Sequence, residues 1–88
     1  MVEKIVTVTN RAGVHARPSA LLVQTTKNFK SNIYFEKGVD RINAKSIMGI
    51  ITLGAAYNTQ LKIIADGEDE EAAINSIVKL FEAKFEEE

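Results

Sequence analysis

The sequence predicts an α+β fold, an open-faced β-sandwich in which one sheet carries helices on a single face. Three observations point there. Short segments alternate apolar and polar residues with period two, longer segments carry apolar residues at helical spacing, and the two kinds interleave as βαββαβα over 88 residues. A strand that alternates buries one face only, and three amphipathic helices are available to cover it.

Glu3 to Thr9 is rich in Val, Ile and Thr and opens the sheet. Asn10-Arg11-Ala12-Gly13 reads as a loop. Ala16 to Lys27 is a helix, with Pro18, Leu21, Leu22, Thr25 and then Phe29 at helical intervals. Pro18 is tolerated because first-turn amides have no intrahelical acceptor. His15 then occupies or adjoins the N-cap.

Asn32 to Glu36 is a strand with Ile33 and Phe35 on one face, and Lys37-Gly38 turns it into a second, Val39 to Asn43. Ser46 to Leu53 is a short helix with Ser46 as N-cap and Gly54 as stop. Gln60 to Ala65 alternates as a fourth strand. The last helix follows Asp66-Gly67, with an apolar stripe through Ile74, Ile77, Val78, Phe81 and Phe85, and its acidic start complements the helix dipole.

This is one domain, residues 1–88, with no repeats or linkers. Composition narrows the function classes. There is no cysteine, which argues for an intracellular protein and specifically a cytoplasmic one. No leader pattern opens the chain, and its longest apolar run, Ile47 to Ile51, is too short to enter a bilayer. The net charge of −1 hides a segregation: residues 1–62 hold nine Lys/Arg against three Asp/Glu, and residues 63–88 hold two against nine. The basic part suits an acidic protein partner. It is too sparse, and too poor in interleaved aromatics, for nucleic acid. One histidine and no cysteine leave too few ligands for a metal site, and no cofactor is expected.

His15 is that histidine, in Gly13-Val14-His15-Ala16-Arg17-Pro18. A helix start offers free N–H groups and the positive end of a dipole, which suit an anionic group. A phosphorylated ring, with roughly two negative charges, is favoured there. Arg17 adds a guanidinium, and Gly13 permits a turn and access. Phosphoryl transfer asks mostly for position and electrostatics. A plain surface histidine, a solvated first-turn arginine and a turn glycine are the bland alternative, and the hexapeptide alone does not separate the two.

The hexapeptide resembles the active-centre signature of the HPr family, the histidine-containing phosphocarriers of the bacterial phosphoenolpyruvate-dependent sugar phosphotransferase system. Lys45-Ser46-Ile47-Met48-Gly49-Ile50 resembles the family's regulatory serine signature, and the separation of the two also fits. The resemblance implies a four-stranded antiparallel sheet of order 1-4-2-3 under three helices. It implies that Nδ1 of His15 accepts a phosphoryl group from phosphorylated enzyme I and passes it to sugar-specific IIA proteins or domains. Arg17 maps onto the active-centre arginine, and the amides of Ala16 and Arg17 onto the phosphate-binding donors. The carrier is then a stoichiometric, monomeric intermediate rather than an enzyme.

Ser46 maps onto the serine modified by the bifunctional HPr kinase/phosphorylase, and a transcriptional regulator joins the implied partners of carbon catabolite regulation. Ile47, Met48 and Ile51 cannot all face the core, so part of this helix is an exposed docking patch expected beside His15. Leu21, Gln24 and Lys27 are its rim by family analogy. One position departs from the pattern: where the family often has Ser, Thr or Asn three residues before the histidine, this chain has Ala12, and Asn10 is the polar side chain nearby. Ser19 stands where a small apolar residue is common. Three other readings stay open: a regulatory module of the same fold signalling through phosphorylated Ser46, a nitrogen-branch phosphocarrier, and a metabolite- or RNA-binding α/β domain. His15 weighs against the first, the intact Ser46 motif against the second, and the lack of surface aromatics beyond Tyr34 against the third.

Overall fold

In the computed structural model, which describes residues 1–86, the elements run β1 (Val2–Thr7), α1 (Ala16–Thr26), β2 (Asn32–Lys37), β3 (Asp40–Asn43), α2 (Ile47–Leu53), β4 (Gln60–Asp66) and α3 (Glu70–Glu82). The strands form one sheet of order β1-β4-β2-β3. All pairs are antiparallel, with Val2 opposite Ala65, Tyr34 opposite Ile64 and Tyr34 opposite Asn43. This is the order the resemblance implies. Only the β2–β3 hairpin was visible in local sequence, because β1–β4 and β2–β4 join segments far apart in the chain.

Period two decides which face is covered. Val6, Ile33, Phe35, Leu61, Ile63 and Ala65 are buried, and Leu22, Ile50, Ile77 and Phe81 of the three helices join the same core. The other face carries Glu3, Ile5, Glu36, Arg41 and Lys62, with Arg41 paired to Glu36 at 2.6 Å and its guanidinium 5.2 Å from the Tyr34 ring centre. Ile64 departs from the alternation: it points with this polar set and is still buried.

The last helix is shorter than its stripe. It ends at Glu82, and Lys84, Phe85 and Glu86 take positive φ values of 53°, 54° and 62°. This left-handed turn brings Phe85 into the core by another route, fully buried with its ring 5.0 Å from Phe81. Left-handed backbone costs non-glycine residues roughly 1–2 kcal/mol each. Burying a phenylalanine returns roughly 1.5–3 kcal/mol, so the packing of Phe85 offsets much of the strain.

α1 and α2 lie side by side and run in opposite directions. Thr26, at the end of α1, donates its hydroxyl to the Ala44 carbonyl at 2.9 Å, just before α2 begins. Lys45 Nζ reaches the Phe29 carbonyl at 2.7 Å. At the other end, Val14 N donates to the Ala55 carbonyl at 2.8 Å, just after α2 stops. The start of α2 is therefore at the far end of α1 from His15.

Candidate functional site

His15 is the N-cap of α1, with extended backbone (φ −94°, ψ −158°). Its ring makes no capping bond to the helix, and the residue is exposed. The helix starts where it does because Ser19 N makes the first intrahelical bond, to the His15 carbonyl at 2.9 Å, and Pro18 has no N–H to place. Ala16 and Arg17 thus contribute first-turn amides that have no acceptor within α1.

The loop before His15 is pinned from several sides. Gly13 N donates to the Asn10 carbonyl at 3.0 Å, and His15 N to the Gly13 carbonyl at 3.1 Å. The Gly13 φ of +74° is in the left-handed region, and a Cβ there would sit 2.8 Å from the Ala55 carbonyl oxygen. Glycine is required on both counts. Asn10 is fully buried and donates Nδ2 to the Gly13 carbonyl at 2.7 Å. It therefore holds the loop that Ala12, exposed and without a polar atom, cannot. That carbonyl lies two residues before His15.

Arg17 is exposed, and its Nη2 donates to the Phe85 carbonyl at 2.6 Å. The left-handed turn near residue 85 thus presents a backbone acceptor to the Arg17 guanidinium, across 68 residues of sequence. Neither local periodicity nor the hexapeptide carries a signal for that contact.

Ser46 caps α2, its Oγ accepting from Gly49 N at 3.0 Å, and Gly54 ends the helix at φ 66°. Ile47, Met48 and Ile51 are 40%, 63% and 39% exposed, while Ile50 and Leu53 face the core. On α1, Gln24 and Lys27 are exposed and Leu21 is half-buried. Since the helices run antiparallel, Ile47 and Met48 lie toward the α2 end that Thr26 joins to α1, and Ile51 toward the end that Val14 joins just before His15. α1 has 11 residues, so at 1.5 Å per residue Ser46 is on the order of 16 Å from His15.

A groove of about 620 Å³ lies between the β1 edge and the end of α3, lined by Lys4, Thr7, Tyr57 and Phe81 among others, and none of the candidate site residues borders it. His15 thus stands on open surface, accessible to a macromolecule. Among the described residues no three His, Cys, Asp or Glu side chains gather as a metal site. None of their helices is long and apolar enough to cross a membrane.

Residues 2–83 match the family described as the PTS HPr component phosphorylation site. The chain belongs to the HPr family. Phosphocarrier protein HPr of Treponema pallidum (strain Nichols) is 50% identical over 88 residues, all of both chains. The HPr-like protein Crh of Bacillus subtilis (strain 168) is 42% identical over 77 residues, 88% of this chain and 91% of Crh. The crystal structure of HPr-C-His from Thermoanaerobacter tengcongensis superposes with a TM-score of 0.97 at 49% identity, covering 100% of this chain and 99% of that one. This HPr-family chain is a phosphoryl carrier of the phosphotransferase system.

Proposed function

We propose that His15 is the phosphoryl acceptor of this carrier, taking the group from phosphorylated enzyme I and giving it to sugar-specific IIA proteins or domains. The observation that carries the reading is the placement of the chain's single histidine: exposed, at a helix N-cap, with two first-turn amides and a guanidinium within the next two residues. The Nδ1 lone pair attacks phosphorus, and the donor's N–P bond breaks as the N–P bond to His15 forms. The electron pair leaves with the donor nitrogen, so the phosphoryl group changes owner without hydrolysis. The amides of Ala16 and Arg17 receive its oxygens. Arg17 exchanges the Phe85 carbonyl for the phosphoryl oxygens, meeting charge only when charge arrives.

Leu21, Gln24, Lys27, Ile47, Met48 and Ile51 form the docking surface, apolar at its centre and basic at its rim. A basic rim steers toward acidic partners. The protein has no turnover of its own, acts as a monomer in the cytoplasm, and is consumed and regenerated by its partners. A Thermoanaerobacter tengcongensis HPr is described as a dimer, and light scattering of this chain across concentration tests the monomer reading.

Ser46 is proposed as the regulatory site of HPr kinase/phosphorylase. The likeness to Crh supports a second role, signalling to a transcriptional regulator through phosphorylated Ser46. Incubation with phosphoenolpyruvate and an enzyme I, followed by intact mass, tests the first role. Gain of one acid-labile phosphate is expected, and no gain in an assay that phosphorylates a control HPr would overturn it.

A further inference from the structure

Among the described residues, four polar ones are fully or almost fully buried: Asn10, Ser19, Thr26 and Ser31. Two of them bond to backbone immediately around His15. Asn10 Nδ2 donates to the Gly13 carbonyl at 2.7 Å. Ser19 Oγ donates to the His15 carbonyl at 2.6 Å, the same oxygen that accepts Ser19 N at 2.9 Å. A serine hydroxyl turned back on the carbonyl four residues earlier is slightly unfavourable for a helix. Alanine would fill the same place and is the better helix former.

The geometry gives this hydroxyl a use. A peptide unit is planar and trans, so its C=O and the following N–H point in opposite, rigidly linked directions. Holding the His15 carbonyl with two donors fixes the plane that also contains the Ala16 N–H. Holding the Gly13 carbonyl, through Asn10 Nδ2 and His15 N, fixes the plane that contains the Val14 N–H, itself bonded to Ala55. The next plane, Val14–His15, is held in turn by His15 N on that carbonyl, so His15 joins two held planes.

We propose that Ser19 and Asn10 are positioning residues for phosphoryl transfer: Ser19 aims the Ala16 amide at the incoming group, and Asn10 fixes the backbone from which the His15 ring projects. Neither touches the phosphoryl group. The inference rests on His15 being the acceptor. It assigns to this chain's own buried polar atoms the orienting work that Ala12 cannot do. Small misplacements of reacting groups cost rate out of proportion to distance, up to about a hundredfold for 1 Å.

The test uses the full chain as substrate of enzyme I. Ser19→Ala and Asn10→Ala are compared with wild type for kcat, KM and melting temperature, and the Ala16 amide resonance is followed by NMR as His15 is phosphorylated. A kcat reduced about tenfold, with KM unchanged and a displaced Ala16 amide shift in the phosphorylated state, is the expected result for Ser19→Ala. Wild-type kcat and Ala16 shift, whatever the melting temperature, would make Ser19 a packing residue and overturn the proposal, as would a change in KM alone. If Asn10→Ala does not fold, Ser19→Ala decides alone. Wild-type protein that takes no phosphate on His15 would instead overturn the acceptor assignment itself, a separate failure.

Discussion

The starts of α1 and α2 are both candidate phosphate sites, and they are built in opposite ways. At α1 the candidate residue, His15, holds the N-cap position without capping through its side chain: the ring makes no capping bond, and backbone and buried side chains hold the residue in place. At α2 the residue to be modified is the cap: Ser46 Oγ itself holds Gly49 N. A carrier site must give its group up again, so nothing in the fold should depend on the reacting atom. A regulatory site has no such restriction. The distance between them also matters. On the order of 16 Å is about two Debye lengths at physiological salt, so charge on half-buried Ser46 reaches a partner docked over both helices more strongly than it reaches His15.

The sharpest way to break this comparison is His15→Ala. It should abolish acid-labile phosphorylation by enzyme I while leaving circular dichroism and melting temperature nearly unchanged, as intact mass and a thermal scan would show. Retained acid-labile phosphate in a folded mutant would remove His15 from its role.

Arg17→Ala comes next. Loss of one well-placed electrostatic donor costs on the order of a hundredfold in rate. Rapid-quench measurement of transfer from enzyme I should show that slowing with little change in docking affinity. Transfer at wild-type speed would contradict the role.

Ser46→Asp should raise the apparent KM for enzyme I severalfold and leave the fold intact, and the effect should shrink as ionic strength rises. A salt-independent defect would indicate steric exclusion instead. Ser46→Ala, by contrast, should cost about 1 kcal/mol of stability, read as a melting point lower by roughly 4–8 °C, with His15→Ala costing less. Equal losses in the two variants would erase the distinction between cap and carrier.

The smallest expected effect belongs to the third helix start. Asp69 turns its carboxylate away from α3 and onto the loop before β2, accepting from Ser31 Oγ, from Lys30 N at 2.8 Å and from Ser31 N at 3.0 Å. The Ser31 hydroxyl, then the Lys30 amide, hold its carboxyl below the ordinary range. A depressed folded value contributes stability that is present above the unfolded value, about pH 4, and lost as pH falls through the lower folded value. Melting temperature should therefore fall less steeply below about pH 4 in Asp69→Asn than in wild type, and parallel curves would show that Asp69 carries no acid sensitivity.

Much of this was legible in the sequence, because it is local. Alternation in Ile33/Phe35 and Leu61/Ile63/Ala65 placed the buried face, and Ser46 and Gly54 bounded α2 as expected of a cap and a left-handed stop. What escaped is non-local. Nothing in the β1 segment says that it pairs with β4. The direction of α2, and so the place of Ile47 and Met48 relative to His15, depends on tertiary bonds at Thr26 and Val14. Phe85 kept its expected burial and lost its expected helix, since the stripe records which residues go inward but not the backbone that takes them there. Ser19 reads as a mild exchange in sequence, and only its bond to the His15 carbonyl gives the hydroxyl meaning.

The contact between Gly13 and Ala55 has a consequence for where the chemistry resides. Every reacting group proposed here falls within a few consecutive residues, so a short synthetic peptide would contain the whole set. Such a peptide would lack the carbonyl of Ala55, which accepts Val14 N and against which Gly13 is pressed. It would have the ingredients of a phosphoryl acceptor without its shape. The shape depends on a loop some forty residues downstream, which makes competence for transfer a property of the tertiary fold rather than of the segment that carries the reacting groups.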